Sequence, residues 1–382
     1  MSKRKSYYLN SSSTNYEKTG QFNMSDVLYE ENKRDRIKVE QLENRIKKII
    51  GAPEDAIVIF NSGATESIAT CIHWAKCVIP HGTVVGTRFD HVAVKENCKN
   101  YKLSYESLEH PEDALNDRVN CIFITHAASF SGELYDIDSF VHNMNSYQYL
   151  QRDHSDFTNM NYNKVLQYKP IKVLDVSQSI MKVPIKMDEW DFDAVFWSNH
   201  KLGGHMGNGV LVIKQSNYKF VPLVAGAQNH GLRGGSQSAQ TILQDAHIYE
   251  HEDDINSRKN QWRAAKKYFE SEGINVYTPK GNHLYNTILL DTDSKCPFVV
   301  LEHLAKQKIY VSPKSACMAE QKMNESESKN KSGNDWKQIE GGEVKIQPFD
   351  NSIRISFQNG ADLDDHVLKQ IVRTLRESFT HQ

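Results

Sequence analysis

Six short, β-rich apolar runs mark the first 215 residues of the chain: "AIVIF" (56–60), "TVVG" (83–86), "NCIFIT" (120–125), "IKVLDV" (171–176), "DAVFW" (193–197) and "GVLVIK" (209–214). Helical patterns or loops lie between them. The clearest helix follows "NSGATES", where Ile68, Cys71, Ile72, Ala75 and Ile79 recur at three- and four-residue spacing. Short strands alternating with such segments bury their apolar surface as a mostly parallel sheet with helices on its faces. In that architecture ligands sit at the C-terminal ends of the strands. The fold class expected is therefore α/β.

Near residue 250 the pattern changes. A helical stretch at 255–273 precedes "YNTILL", the helix candidate "PFVVLEHLAKQKI" and a C-terminal amphipathic helix through Leu363, Val367, Ile371 and Leu375. We expect a large α/β domain over 21–250 and a smaller α+β domain built from 1–20 and 251–382, which suits a chain of 382 residues. Two polar stretches rich in Asn, Ser, Lys and Glu, 143–164 and 320–343, read as inserted loops. No internal repeat is evident.

A formal net charge of −2 gives no reason to expect nucleic acid or an anionic membrane as partner. The basic start "MSKRK" runs into the polar "SYYLNSSSTN" without an apolar h-region, and no window approaches a membrane span, so a cytoplasmic location is expected. The six cysteines form no C-x-x-C pair, which points to free thiols in a reducing compartment and to no metal site.

Chemistry gathers in "DFDAVFWSNHKLGGHMGNGVLVIK" (191–214), where one lysine, Lys201, stands between a buried strand and a glycine-rich turn. A lysine that must lose its proton and attack a carbonyl needs such a setting, since an apolar pocket or a nearby cation lowers its pKa. Four other features are ambiguous taken singly. The "NSGATES" turn ends a strand and opens a helix, so the amides of Ala64 and Thr65 could hold a phosphate, although many such turns bind nothing. Asp175 and Gln178 end the strand in "LDVSQS", where an aspartate could simply cap the next segment. His91 in "DHVAV" could be a turn residue, and Arg354 in "SIRISF" a solvated strand arginine.

Together, in order, the segments "SGATE", "DHVAV", "LDVSQS", "SNHK–GG–GNGVL", "GLRGGS", "VSPKSAC" and "IRISF" resemble the class V family of pyridoxal-phosphate enzymes over residues 7–378, most of all the NifS/IscS-type cysteine desulfurases. The resemblance implies fold type I of these enzymes: a large domain with a mostly parallel seven-stranded sheet and a smaller α+β domain. It implies that Lys201 forms the Schiff base with pyridoxal 5′-phosphate, that Asp175 keeps the pyridine nitrogen protonated, and that Gln178 bonds the phenolic oxygen. His91 would stack on the ring and move protons. Thr65, Ser198 and His200, with the Ala64–Thr65 amides, would bind the phosphate, joined by Ser236 from the other subunit of a homodimer. Arg354 would clamp the substrate carboxylate. Cys317 in "SAC" would attack the sulfur of bound L-cysteine and carry it as a persulfide to an acceptor protein, while alanine leaves.

The sequence departs from the family pattern at several places. Asn10 replaces an aspartate near the N-terminus, and Ala128, Ser129 and Phe130 stand where asparagines are usual, Ser129 being a partial substitute toward the substrate. The segment "HAASFSG" is also somewhat like "SNFSG" of molybdenum-cofactor sulfurases. His205 takes the place of the lysine loop's usual proline, and Pro313 and Lys314 replace small residues before "SAC". Three readings follow: a cysteine desulfurase; another class V enzyme such as a selenocysteine lyase, a C–S lyase or an aminotransferase; or a weakly catalytic scaffold. A scaffold has no physical need for Lys201, Asp175, Gln178, His91 and Arg354 together.

Overall fold

All six apolar runs become strands of one sheet, joined by a seventh. In chain order they are β1 (Ile57–Asn61), β2 (Thr83–Thr87), β3 (Ser104–Leu108), β4 (Val119–Thr125), β5 (Ile171–Asp175), β6 (Ala194–Ser198) and β7 (Gly209–Ile213). The computed structural model describes residues 7–8, 33–146, 148–149, 165–166, 169–214, 219–235, 239–250, 254–292, 296–313, 352–357 and 363–377. The described chain forms two units, a larger one of 16–128 with 134–253 and a smaller one of 1–15, 129–133 and 254–382.

In the larger unit the strand order is β1-β7-β6-β5-β4-β2-β3. Pairing is parallel throughout except at β7, which runs antiparallel to both β6 and β1. The fold is thus a mostly parallel seven-stranded α/β sheet. Residues of β4, β5, β6 and β7 are all buried, as continuous apolar runs covered on both faces must be. Along β6, Val195 and Trp197 join one core with Leu42 and Ile46 of helix α1 (Lys33–Ile49), whereas Ala194 and Phe196 join the other with Ile68 and Ile72 of α2 (Ala64–Val78). Helix α3 (Val92–Asn100) lies on the α2 side and α4 (Ile137–Met144) on the α1 side, through Val94 and Phe140. The strand period of two thus sends alternate side chains to opposite helical layers.

At the edge away from the strands' C-terminal ends, three lysines converge on one aspartate. Asp191, just before β6, takes Lys172 of β5 at 2.6 Å, Lys169 at 2.8 Å and Lys214, just past β7, at 2.5 Å. These cations hold its carboxyl well below the usual range and tie three neighbouring strands at one point.

The smaller unit has an antiparallel sheet of β8 (Val276–Tyr277), β9 (Thr287–Asp291), β10 (Ser312–Pro313) and β11 (Ser352–Ser356) in the order β8-β9-β11-β10. Its core joins Phe269 of α6 (Ile255–Ser271), Leu304 of α7 (Pro297–Lys306) and Ile371 of α8 (Asp365–Arg376) to Leu290 and Ile353 of the sheet. Helix α5 (Ala239–Leu243) belongs to the larger unit. Asp254 and Asp364 cap α6 and α8 through their carboxylates, which accept from Ser257 N at 3.1 Å and Val367 N at 2.9 Å. Of the polar stretch 143–164, residues 143–144 end α4, and Gln148–Tyr149 pair in parallel with Val165–Leu166; residues 150–164 lie outside the described residues, as does 320–343.

Candidate active site

Four side chains of the larger unit occupy the sheet edge where the parallel strands end. Asp175 closes β5, Thr125 sits beside it at the end of β4, Ser198 closes β6, and Lys201 lies in the 3₁₀ turn Asn199–Leu202 that follows. Register makes this meeting unavoidable: Thr125 pairs with Asp175, and Gly209, the first residue of β7, pairs with both Ser198 and Asn61. The strand ends therefore form one ledge.

Asp175 is buried, and its Oδ1 accepts from Ser177 N at 2.8 Å, so it makes its own turn as well as facing the ledge. Burial pushes its carboxyl above the ordinary value, while Ser177, His91 and Lys201 oppose that rise. Three predicted residues from three separate segments thus share one electrostatic site. Gln178, also buried, sits in the turn that follows, its carbonyl accepting from Lys182 Nζ at 2.9 Å.

His91 opens α3, and its Nδ1 accepts from Ala93 N at 3.2 Å. That bond fixes the tautomer: the ring proton is on Nε2. The exposed residue is therefore both a helix cap and a group able to hold or give a proton at Nε2.

The turn before α2 meets the end of β6. Gly63 has φ 138°, and a Cβ there would lie 3.2 Å from Ser198 Oγ, which in turn accepts from Ala64 N at 2.7 Å. A Cβ on Gly209 would fall 2.4 Å from Gly63 Cα, so the two glycines let the backbones touch. Two predicted phosphate ligands, Ala64 and Ser198, are thus bonded to each other at the N-terminus of a long helix. Thr65 is exposed in the first turn of α2, and His200 is half-buried beside Lys201. Glu66 accepts from Ser62 Oγ at 2.6 Å and pairs with Arg233 at 3.0 Å, which ties the "GLRGG" segment to the same turn.

Arg354 lies at the centre of β11 in the smaller unit, buried, donating from NH1 to Ser129 O at 2.7 Å and from NH2 to Ser312 Oγ at 3.1 Å. Arg354 and Ser129 are brought together, but through the serine carbonyl rather than its hydroxyl. Ser236 and Cys317 lie outside the described residues, as do Asn10 and Lys314.

One residue missed in the sequence belongs to the site. Asp90, next to His91, is half-buried and accepts from Thr87 Oγ1 and Thr125 Oγ1, both at 2.7 Å, and from Tyr105 OH at 3.1 Å. A Cβ at position 86 would sit 2.0 Å from Asp90 Oδ2, so only Gly86 leaves room for the carboxyl over β2. Burial and the nearby Asp175 outweigh the donors and push Asp90 up to about 7. A carboxyl that titrates higher in the folded protein than the usual 3.9 or so stabilises most below that value, and its contribution is lost as pH rises through about 7. Urea unfolding of the cofactor-free protein at pH 5 and pH 7 should therefore show Asp90→Asn gaining on the parent by about 2 kcal/mol across the interval. Equal pH slopes would show that Asp90 is ionised throughout. The aspartate of "DHVAV" and the glycine of "TVVGT" were the available signals, but neither marks a pair on its own.

The set suits a flat cationic heteroaromatic ring with an anionic tail: a buried carboxylate for a ring N–H, an imidazole, an amine, and a helix N-terminus with a hydroxyl for the anion. The family described as Aminotransferase class-V matches residues 9–151 and 161–365. The chain is similar to the cysteine desulfurase NifS of Azotobacter vinelandii, with 27% identity over 213 residues, 52% of this chain and 48% of that protein. It is also similar to the cysteine desulfurase IscS of Dictyoglomus turgidum, with 26% identity over 310 residues, 74% of this chain and 72% of that one. The chain thus spans about half the length of the first relative, 48%. A solved NifS-like protein shares the fold, with a TM-score of 0.74 at 16% identity over 97% of this chain and 98% of that chain.

Proposed function

The chain belongs to the class-V aminotransferase family, and from that premise we propose that it is a cysteine desulfurase. It would convert L-cysteine to L-alanine and carry the sulfur as a persulfide on Cys317 for an acceptor protein. The observation that carries the reading is the meeting of buried Asp175, Ser198 and the Lys201 turn at the ends of adjacent parallel strands. Likeness to the NifS and IscS desulfurases supports it.

The cofactor is pyridoxal 5′-phosphate, whose pyridinium ring supplies an electron sink for bonds broken at the substrate. The residues fit it. Asp175 would accept a hydrogen bond from the ring nitrogen, and the cation there would relieve the cost of burying its carboxylate. Ser198, Thr65 and His200, with the first amides of α2, would hold the phosphate, and Gln178 the phenolic oxygen. Lys201 would hold the cofactor through its amine and pass protons at Nζ. His91, its Nδ1 already committed to α3, would act through Nε2. Arg354, its plane fixed by Ser129 O and Ser312 Oγ, would bind the substrate carboxylate. The Cys317 thiolate would attack the substrate sulfur; the C–S bond breaks, its electron pair stays with the carbon fragment, and protonation yields alanine.

A homodimer and a cytoplasmic location belong to the same proposal. Met206, 74% exposed in the lysine turn, and Val224, 41% exposed, are large apolar groups that a second copy would cover. A nucleophilic thiol needs a reducing compartment, and the five described cysteines are free.

The test is the visible spectrum of the purified protein with pyridoxal phosphate, before and after L-cysteine, with alanine and sulfide assayed. We expect a visible band that changes on adding cysteine, with alanine and reducible sulfur formed together. A band without alanine would turn the assignment to another amino-acid substrate, and the lack of any band would overturn it.

A further inference from the structure

We propose that Asp245 and His205 are positioning residues that hold the Lys201 turn at the sheet edge. The inference rests on Lys201 being the cofactor lysine. Asp245 is fully buried, and its carboxylate takes four donors, all from the turn that carries Lys201. Oδ2 accepts from Asn199 Nδ2 at 2.8 Å and Asn208 Nδ2 at 2.9 Å. Oδ1 accepts from His205 N at 3.0 Å and His205 Nδ1 at 2.6 Å. Each donor is 37 to 46 residues away in sequence, so the carboxylate does not cap its own segment. A carboxylate removed from water needs this many donors to persist. Here they restrain both ends and the middle of residues 199–208.

The turn is also packed on the carboxylate. A Cβ on Gly204 would lie 2.9 Å from the Asp245 carboxyl and from Asn199 Cβ. From Asn199 the network continues into the core. Its Oδ1 accepts from Tyr249 OH at 2.7 Å, and that hydroxyl accepts from Trp197 Nε1 at 2.9 Å. Asn199 N to Asn208 O, at 3.0 Å, closes the turn across its base. Asn199, His205 and Asn208 of the Lys201 turn are therefore all bonded inward to Asp245.

His205 is held by two bonds to one carboxylate oxygen, from its backbone N–H and from its ring. Lysine's four-carbon stem is flexible, so the amine is placed by its Cα, and a misplacement of about 1 Å can cost about a hundredfold in rate.

The experiment uses full-length holoenzyme of the parent, Lys201→Ala, His205→Leu, His205→Asn and Asp245→Asn. The readouts are the rate of cofactor release on dilution, the pH midpoint of the visible band, and the melting temperature. His205→Leu should release cofactor about tenfold faster and shift the band midpoint. His205→Asn, whose Nδ2 can stand in for Nδ1, should restore both. Asp245→Asn should behave like His205→Leu or worse; if it does not fold, the His205 pair decides. A folded His205→Leu protein with parental release and midpoint overturns the proposal, and so does failure of His205→Asn to differ from His205→Leu. A parent band that survives in Lys201→Ala overturns the cofactor reading itself.

Discussion

Lys201→Ala is expected to yield a folded protein that takes up pyridoxal phosphate without a covalent link and turns over L-cysteine roughly a thousandfold more slowly. The fold should tolerate the change. Lys201 is half-buried in one short turn, and the bonds that close that turn come from Asn199, His205 and Asn208. Its removal should shift stability by no more than about 1 kcal/mol. Chemistry is another matter, because Asp175 loses the Lys201 charge that opposes the effect of its burial, and the only amine of the turn is gone. Borohydride treatment followed by mass spectrometry reads this directly. The parent should gain the mass of the reduced cofactor on the 199–208 peptide, and the variant should gain nothing. A modified peptide elsewhere in the parent would mean that another lysine is the attachment point.

The second large effect concerns the reaction rather than the cofactor. Cys317→Ala should keep the visible band and its change on adding L-cysteine, since Asp175, His91 and Lys201 are untouched, yet it should form neither a protein persulfide nor alanine. The argument is one of electron balance. The substrate sulfur leaves carbon without the bonding pair, so a nucleophile must receive it, and among neutral-pH side chains a thiolate is by far the best. Trapping the persulfide with an alkylating reagent and mapping it by mass places the sulfur. Alanine released at the parental rate by Cys317→Ala would assign sulfur transfer to another acceptor and favour a lyase.

How much of this was legible beforehand depends on how far each residue's meaning is local. All six apolar runs are strands within one residue of their expected ends, because continuous burial on both faces leaves a continuous apolar stretch in sequence. The seventh, "SYESL", was missed because it is a sheet edge whose residues are mostly exposed, and its composition has no apolar run. That β7 runs antiparallel was not legible either, since an apolar pentapeptide has no direction. At the site, Lys201, Asp175 and His91 stood out through their neighbours: glycines, a strand end and a helix start. Asp90 and Asp245 did not. Such an aspartate is defined by its donors, and theirs come from positions such as Thr125 and Asn199, 35 and 46 residues away. Pairings at that distance leave no periodic trace.

The smaller unit's claim on residues 129–133 bears on any dissection of the protein. Arg354 depends on Ser129 O, Leu284 N donates to Gly132 O at 2.7 Å, and Glu133 bridges to His283. A fragment starting at Asp254 would therefore lose an acceptor for its buried guanidinium and a partner for its backbone. A fragment ending at Asp253 would carry five residues stripped of theirs. The two units differ in architecture, but the chain cannot be cut once to give both intact. Expression of either alone requires grafting or deleting the 129–133 segment, and a natural fusion or split would face the same constraint.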